Sequence, residues 1–547
     1  MLFKKNISKI FKILFSNVRN YFDQLLVSNT RRFVEKKLNA LSKESLKQKP
    51  LKNLKKCLID ATFDGPNYWF RLGILRAAFD SPLIEYAVVG RFNKAKIKKT
   101  LKNFGISKIS YIGTNILIEK KYLKEAEKIF YSLSSAKDLL NLKLPYEAPA
   151  IDLYDSLLKY QRNSTLNIYD KSLIKYISRY LKDLEMAKII IDSIKPDLAI
   201  LSHTTSGRIN NGVLTWHLTR NKIPIIVPAG SFGNFAHFKI LEYADHFNHV
   251  NKPSKKDMQI KDKAKLEKLR SLGAEYIRRR IKGQAKDLGA ELAFPKKSER
   301  ISKSMICKQY SWDKKKPVIA VFASIWFDNP HTFGMTQFID FNDWLNFTFE
   351  AASKNKNFNW IFKPHPSEDW YGGTKMRDLF PKEIPSHIRI SNKNWNGQDF
   401  RNSIDLIVTL HGTIGVEMAS FGKPVLVATK GWYGDLGFVK FCQTRKVYGQ
   451  SLNSKWWLDQ DIENNKRLAD IFAGYYFCIP KEDNSIYLDN DSSQFKLYES
   501  HKNLLINNKD LINREIKTMK KWLKSDSKHY HIFKMRNSKD YKFSKNI

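Results

Sequence analysis

Residues 405–427, DLIVTLHGTIGVEMASFGKPVLV, carry the pattern from which the architecture is read. The apolar run from Asp405 to Leu410 has strand length and ends at His411-Gly412-Thr413. A helical stretch starts at once, Gly422-Lys423-Pro424 ends it, and a second apolar run comes after. Strand, tight turn, helix and strand in one short span predict a parallel βαβ unit. The rhythm extends upstream through PVIAVFAS (317–324), the helical NDWLNFTFEAASKN (342–355), NWIFKPHP (359–366) and HIRIS (387–391). Residues 317–500 therefore read as a Rossmann-like parallel-sheet domain.

A second domain of the same class spans residues 51–250. CLIDATF (57–63) leads into a turn at Asp64-Gly65-Pro66-Asn67 and the helical YWFRLGILRAAF (68–79). IEYAVVG (84–90), KAKIKKTLKNFG (94–105) and ISYIG (109–113) continue the alternation. It returns in PDLAILSH (196–203), GVLTWHLTRNK (212–222) and IPIIVPAG (223–230). The predicted class is α/β, with two Rossmann-like parallel-sheet domains and helical extensions. Asp64 and His203 fall at carboxyl ends of strands, where open parallel sheets bind ligands.

Residues 251–316 are basic and helical, clearest in KLEKLRSLGAEYIRRRIKG (265–283), and read as a linker or insertion. Residues 501–547 read as a C-terminal helix, NREIKTMKKWLK (513–524), and a basic tail. Residues 1–50 form a basic extension with Phe3, Ile7, Ile10, Phe11, Leu14 and Val18 near helical spacing. Through Lys56 it holds 15 Lys/Arg against 3 Asp/Glu, a balance suited to an anionic membrane surface or to docking on the protein body.

The whole chain carries a formal net charge of +41 over 547 residues. Such an excess favours anionic partners, although a composition crowded with Lys, Asn and Ile also arises from an AT-rich coding sequence. No recognition helix, zinc finger or RNA-binding signature accompanies it, which argues against nucleic acid. The four cysteines are far apart, so neither a disulfide scaffold nor a structural zinc site is expected. No apolar run is long enough to span a bilayer. The expected location is the cytoplasm, with a peripheral position on the inner face of a bacterial inner membrane in view.

The chemistry concentrates in the second domain. Gly412 allows a tight turn and Thr413 is placed to cap the helix, so first-turn N–H groups would meet a phosphate. Glu417, one turn on, would accept from a sugar or ribose hydroxyl. Lys363-Pro364-His365-Pro366 leaves a strand with its path stiffened by two prolines. His365 could donate to a donor phosphate as charge builds on the leaving nucleotide, with Lys363 as a second positive group. Ser324 and Asp328, in SIWFDNPHTFG (324–334), are candidate cleft residues, and His331 could contact donor or acceptor. Asp459-Gln460-Asp461 and Asp489-Asn490-Asp491 both spell D-x-D but sit in polar stretches and read as loop residues, so no metal is expected.

FKPHP (362–366), followed by HGTIGVEMASFGKPVLV (411–427), resembles the donor domain of the capsule polysaccharide biosynthesis family, which includes β-Kdo transferases. It is similar to polysialyltransferases and CDP-glycerol transferases as well. The resemblance is good over the second domain and loose over the first. It implies a GT-B architecture, two domains facing a cleft, and nucleotide-sugar-dependent glycosyl transfer to a surface polysaccharide or a lipid-linked glycan, with no cofactor. His365 with Pro366, and Gly412 with Thr413, take the nucleotide-binding roles; Glu417 matches the acidic donor-facing position. His411 departs from the small residue found in many relatives. Transfer of a polyol phosphate from a CDP donor, or a non-catalytic polysaccharide-binding role, are the alternatives. A glycosyl acceptor must lose a proton, so a base is expected from the first domain. Asp64 is the first candidate, with Asp60 and His203 behind it.

Overall fold

The computed structural model describes residues 26–44, 54–90, 93–113, 120–203, 209–228, 236–247, 252–255, 257–259, 262–284, 294, 301–332, 334–335, 337–391, 395, 400–478, 486, 488 and 493–530. The apolar stripe expected from Phe3 to Val18 lies outside them.

Among the described residues, twelve strands form two sheets. The first holds β1 (Lys55–Ala61), β2 (Leu83–Val89), β3 (Lys108–Tyr111), β4 (Leu198–Ile200), β5 (Ile225–Val227) and β6 (Phe238–Ile240), in the order β3-β2-β1-β4-β5-β6. The second holds β7 (Val318–Phe322), β8 (Asn359–Lys363), β9 (Ile388–Ile390), β10 (Leu406–Thr409), β11 (Val425–Val427) and β12 (Lys440–Phe441), in the order β12-β11-β10-β7-β8-β9. Counted from its own first strand, each sheet has the doubly wound order 3-2-1-4-5-6. All pairings are parallel except β5 with β6. Neither β6 nor β12 is expected from the sequence, because both are too short to show a period.

Both faces of each sheet are buried, which is why the strands read as unbroken apolar runs. In β1, Leu58 joins one core and Cys57, Ile59 and Ala61 another. In β7, Ile319 and Val321 face the core that holds Leu58, while Val318, Ala320 and Phe322 face a third. One apolar core therefore runs continuously from the first sheet to the second.

The helices that pack on these sheets and shape their edges include α1 (26–44), α2 (Pro66–Ala78), α3 (Lys94–Asn103), α4 (Ala150–Gln161), α5 (Ser172–Ile194), α6 (Ile209–Arg220), α7 (Lys263–Ile281), α8 (Phe341–Lys354), α9 (Ile414–Ser420), α10 (Ile462–Ala473) and α11 (Lys509–Leu523). No described helix is long and apolar enough to cross a membrane. The α1 helix, in the basic extension, belongs to the first domain: Val34 and Leu38 are buried in its core, and a Cβ on Gly73 of α2 would come within 2.7 Å of Leu38. The chain also returns to the first domain near its end, where Met519 and Trp522 of α11 enter the same core.

The segment expected to be a linker is tied to the second domain. A Cβ on Gly273 of α7 would lie 1.9 Å from the Asp470 carbonyl oxygen of α10, and one on Gly474 would lie 2.1 Å from the Leu269 oxygen. The helices thus cross in backbone contact, which only glycine permits. Arg280 of α7 also donates through Nε to Glu417 Oε1 of α9 at 2.6 Å, both side chains being under 5% exposed. We expect Gly273→Ala to lower unfolding stability by about 3 kcal/mol, measured by urea denaturation, because neither backbone can retreat.

Candidate functional site

The register of the second sheet assembles its site. Phe322 of β7 pairs with both Thr409 of β10 and Lys363 of β8, and Thr409 pairs with Val427 of β11. Two residues beyond each pairing lie Ser324, His411, His365 and Thr429. Residues scattered over more than a hundred positions of chain thus share one carboxyl edge. The edge includes the reversal of strand order between β7 and β10, where doubly wound sheets bind ligands.

His365 accepts the Ser367 N–H at Nδ1 over 3.2 Å, which puts its proton on Nε2. Burial, and then the charge of Lys363, push its pKa down to about 4. It is a neutral imidazole at physiological pH with one N–H to donate. Lys363 is buried at the end of its strand, and its carbonyl accepts the Ala323 N–H at 3.0 Å. Pro366 is exposed at the turn after the strand. Among the described residues, His365 Nε2 and the partly buried hydroxyls of Ser324 and Thr413 have no hydrogen-bond partner.

The turn after β10 differs from expectation in two respects. Thr413 has helical backbone angles, φ −52° and ψ −30°, and its side chain caps nothing. A cap residue needs extended backbone for its oxygen to reach the N–H groups of the first turn, and here the helical geometry has already begun. Glu417 is not donor-facing: it is buried and held by Arg280, so it fastens α7 to α9. His411 is buried in the turn, with Nδ1 3.1 Å from Thr429 Oγ1 and its carbonyl accepting from Trp432 Nε1 at 2.8 Å. The Gly412 N–H donates to Thr409 Oγ1, and its carbonyl accepts the Tyr433 hydroxyl at 2.7 Å. Gly415 makes that last bond possible, since a Cβ there would sit 2.2 Å from the Tyr433 oxygen.

The corresponding edge of the first sheet lies where β1 meets β4, with Ile59 paired to Ile200. Asp60 is fully buried; its Oδ1 accepts the Thr62 N–H at 2.8 Å and its Oδ2 accepts both the N–H and the hydroxyl of Ser202. Ser202 Oγ is also 2.8 Å from His203 Nδ1. The carboxylate only accepts, so the single Ser202 proton goes to Asp60 and Nδ1 must donate to Oγ. His203 is thereby fixed as the Nδ1–H tautomer, with the lone pair on Nε2. Phe63 holds the ring edge-on at 4.6 Å. Ser202 gave no signal in the sequence beyond standing between a strand and a histidine.

Asp64 has a different part. Arg31 of α1 bonds both its oxygens, at 2.8 and 3.2 Å, while Trp69 Nε1 and Lys96 Nζ supply further contacts at 2.9 and 3.0 Å. Burial alone would raise its pKa, but the Arg31 bonds and charge, with Trp69 and Lys96, hold it below the usual carboxylate range. Four donors fill the acceptor sites of a carboxylate. Asp64 clamps α1 and α3 to the turn after β1 and has no lone pair to offer a hydroxyl.

The loops that leave β7 and β8 are also those that bind the first domain. Asp340, the N-cap of α8, accepts from Tyr154 of α4 at 2.6 Å and from Thr165. Asp155 of α4 accepts from His331 Nδ1 at 2.6 Å and from its N–H at 3.2 Å, so His331 is a buried structural partner. Asp328 is exposed, 3.9 Å from Lys159. After His365, the Thr374 N–H donates to the Arg162 carbonyl. Of the D-x-D stretches, Asp461 caps α10, and Asp489-Asn490-Asp491 lies outside the described residues.

No protein-family model and no curated protein matches the chain. Among solved structures it is similar to the KpsC β-Kdo 2,4 transferase of Thermosulfurimonas dismutans, at 12% identity over 48% of this chain and 75% of that one, with a TM-score of 0.28. It is also similar to a UDP-GlcNAc 2-epimerase from Neisseria meningitidis bound to UDP-GlcNAc, at 12% identity over 77% and 96%, with a TM-score of 0.23. A third likeness is to MnaA of S. aureus in a UDP co-structure, at 12% over 84% and 98%, with a TM-score of 0.25. Values this low add nothing to the strand orders, which carry the architecture by themselves. The fold is GT-B.

We expect Asp64→Asn to cost about 3 kcal/mol at pH 7. The loss should shrink as pH falls through the depressed folded pKa, because that contribution is present only above it. Asp155→Asn should act oppositely. Burial lowers the His331 pKa but the Asp155 charge outweighs it, so the value is raised, and the pair's contribution is full below about 6.5 and fades as pH rises through the raised value. The melting-point deficit of Asp155→Asn should therefore be larger at pH 6 than at pH 9.

Proposed function

We propose that the chain is a glycosyltransferase that moves a sugar from a nucleotide-activated donor, with a CMP-linked sugar among the candidates, to a hydroxyl of a surface polysaccharide or its lipid-linked precursor. The observation that carries the reading is the chemistry at the two strand-order reversals. One holds a neutral N–H donor and two hydroxyls that have no hydrogen-bond partner among the described residues; the other holds an imidazole with its tautomer fixed by a serine and a buried aspartate.

In this reading His365 Nε2–H, Thr413 Oγ and Ser324 Oγ bond the donor's phosphate, and Lys363 adds positive charge nearby. The acceptor hydroxyl attacks the anomeric carbon, the carbon–oxygen bond to the phosphate breaks, and the nucleotide leaves with that electron pair. The acceptor's proton passes to His203 Nε2. The resulting imidazolium is stabilised through Ser202 by the Asp60 charge, an orienting role for the carboxylate. A base and a leaving-group site on different domains favour inversion at the anomeric carbon. The bonds from α4 to the loops after β7 support a cleft between the two carboxyl edges.

Thermal shift against CMP, CDP, UDP and GDP tests the donor half, since a ligand of the folded state raises the melting point. We expect one nucleotide to stabilise the parent and His203→Ala equally, and to lose its effect in His365→Ala. Transfer from the matching nucleotide sugar should fall at least about 100-fold in His203→Ala, whereas Asp64→Asn retains it at temperatures where it is folded. Stabilisation by none of the nucleotides would remove the donor site from the second sheet.

A further inference from the structure

The amino edge of the first sheet, opposite the edge that carries Asp60 and His203, holds a cavity of ≈ 150 Å³. It lies under the strand starts, with Lys55 of β1, Leu83 of β2, Leu198 of β4 and Pro224 before β5 in its wall, and the last turn of α11 alongside. Its apolar wall is made by Ala78, Phe79, Leu198, Ile226 and Leu523 among others. A cavity of about 150 Å³ accepts a group the size of benzene.

Charge surrounds it. Lys55, Lys239, Lys520 and Lys524 line it against Asp80 and Asp197. Lys520 in the last turn of α11 and Lys524 at its C-cap both bond Asp80, with side chains 39% and 51% exposed. Lys239 differs from them. It is 3% exposed, and its ammonium donates to the carbonyls of Trp522, Leu523 and Ser525, at 3.0, 3.2 and 2.6 Å. Among the described residues it forms no ion pair with a carboxylate, and burial pushes its pKa down to about 8 even though Asp526 opposes the shift. Its three protons all point to the end of α11, so it acts on the cavity through charge. A pocket with an apolar wall of aliphatic and aromatic groups beside an excess of cations, one of them buried with no carboxylate partner among the described residues, selects a ligand that is apolar at one end and anionic at the other.

We propose that this cavity binds an anionic amphiphile: an alkyl chain of about six buried carbons carrying a phosphate or carboxylate head, chain inward and head among Lys55, Lys520 and Lys524. The site is independent of the cleft and of any reading of its chemistry. The same ligand chemistry has two sources, a free alkyl anion or the end of a membrane lipid.

Hexyl phosphate is the probe, with inorganic phosphate, hexanol and hexyltrimethylammonium as controls, measured on the full chain by thermal shift and calorimetry. Hexyl phosphate should bind at least tenfold more tightly than each control. Lys520→Gln combined with Lys524→Gln, at the end of α11, should weaken it at least fivefold. Ala78→Met, which fills the cavity, should abolish it; if that variant does not fold, the lysine pair decides. Equal binding of hexyltrimethylammonium, or unchanged affinity in the double lysine variant, overturns the proposal. Sedimentation with phosphatidylglycerol vesicles separates the sources: loss of vesicle binding in the lysine variant identifies a lipid, and hexyl phosphate binding without vesicle binding identifies a free anion.

Discussion

A parallel sheet whose strand order reverses at its centre cannot cover the carboxyl ends of the two strands that meet there. The connections leave those strands in opposite directions, and the backbone opens between them. This protein contains that constraint twice. At β1 and β4 the opening receives Asp60, Ser202 and His203; at β10, β7 and β8 it receives His411, Ser324 and His365. Every element of the candidate chemistry depends on the register of these central strands. A one-residue slip between β7 and β8 would move His365 out of the row and exchange the faces on which Trp360 and Ile361 are buried.

Buried charge pairs fasten the outlying segments. Arg31 with Asp64 holds α1 to the first domain, Arg280 with Glu417 holds α7 to the second, and His331 with Asp155 joins the two. In each case one partner comes from a segment whose place sequence periodicity leaves undefined. Ion pairs of this kind add little over apolar packing of equal shape, but losing one partner strands a charge in the interior. They act as selectors of arrangement. A helix whose arginine misses its carboxylate pays the full desolvation of both groups.

The crossing of α7 and α10 uses steric exclusion for the same end. Gly273 and Gly474 let two backbones touch, and the approach brings Asp470 next to Ser420, which donates to its carboxylate. The region that reads as a spacer between domains is by this means locked into the second domain. At the other end of the molecule α11 returns to the first sheet and is capped by Lys239. The two domains are thus each completed by segments distant in sequence.

Residue pattern alone was enough for the two α/β domains, because unbroken apolar runs separated by amphipathic helices have few ways to be buried. It also marked His365, Gly412 and His203 as strand-end residues, since each stands close behind an apolar run. It could not tell a ligand-facing carboxylate from a fastening one: Asp64, Glu417 and Asp60 look alike until their partners are known, and Arg31, Arg280 and Ser202 lie 33, 137 and 142 residues away. Nor could it show that Thr413 already has helical backbone, or that Asp155 would meet His331. Such outcomes needed the folded chain, because hydrogen bonding and desolvation depend on neighbours in space, and periodicity along the chain records only which face of an element is buried.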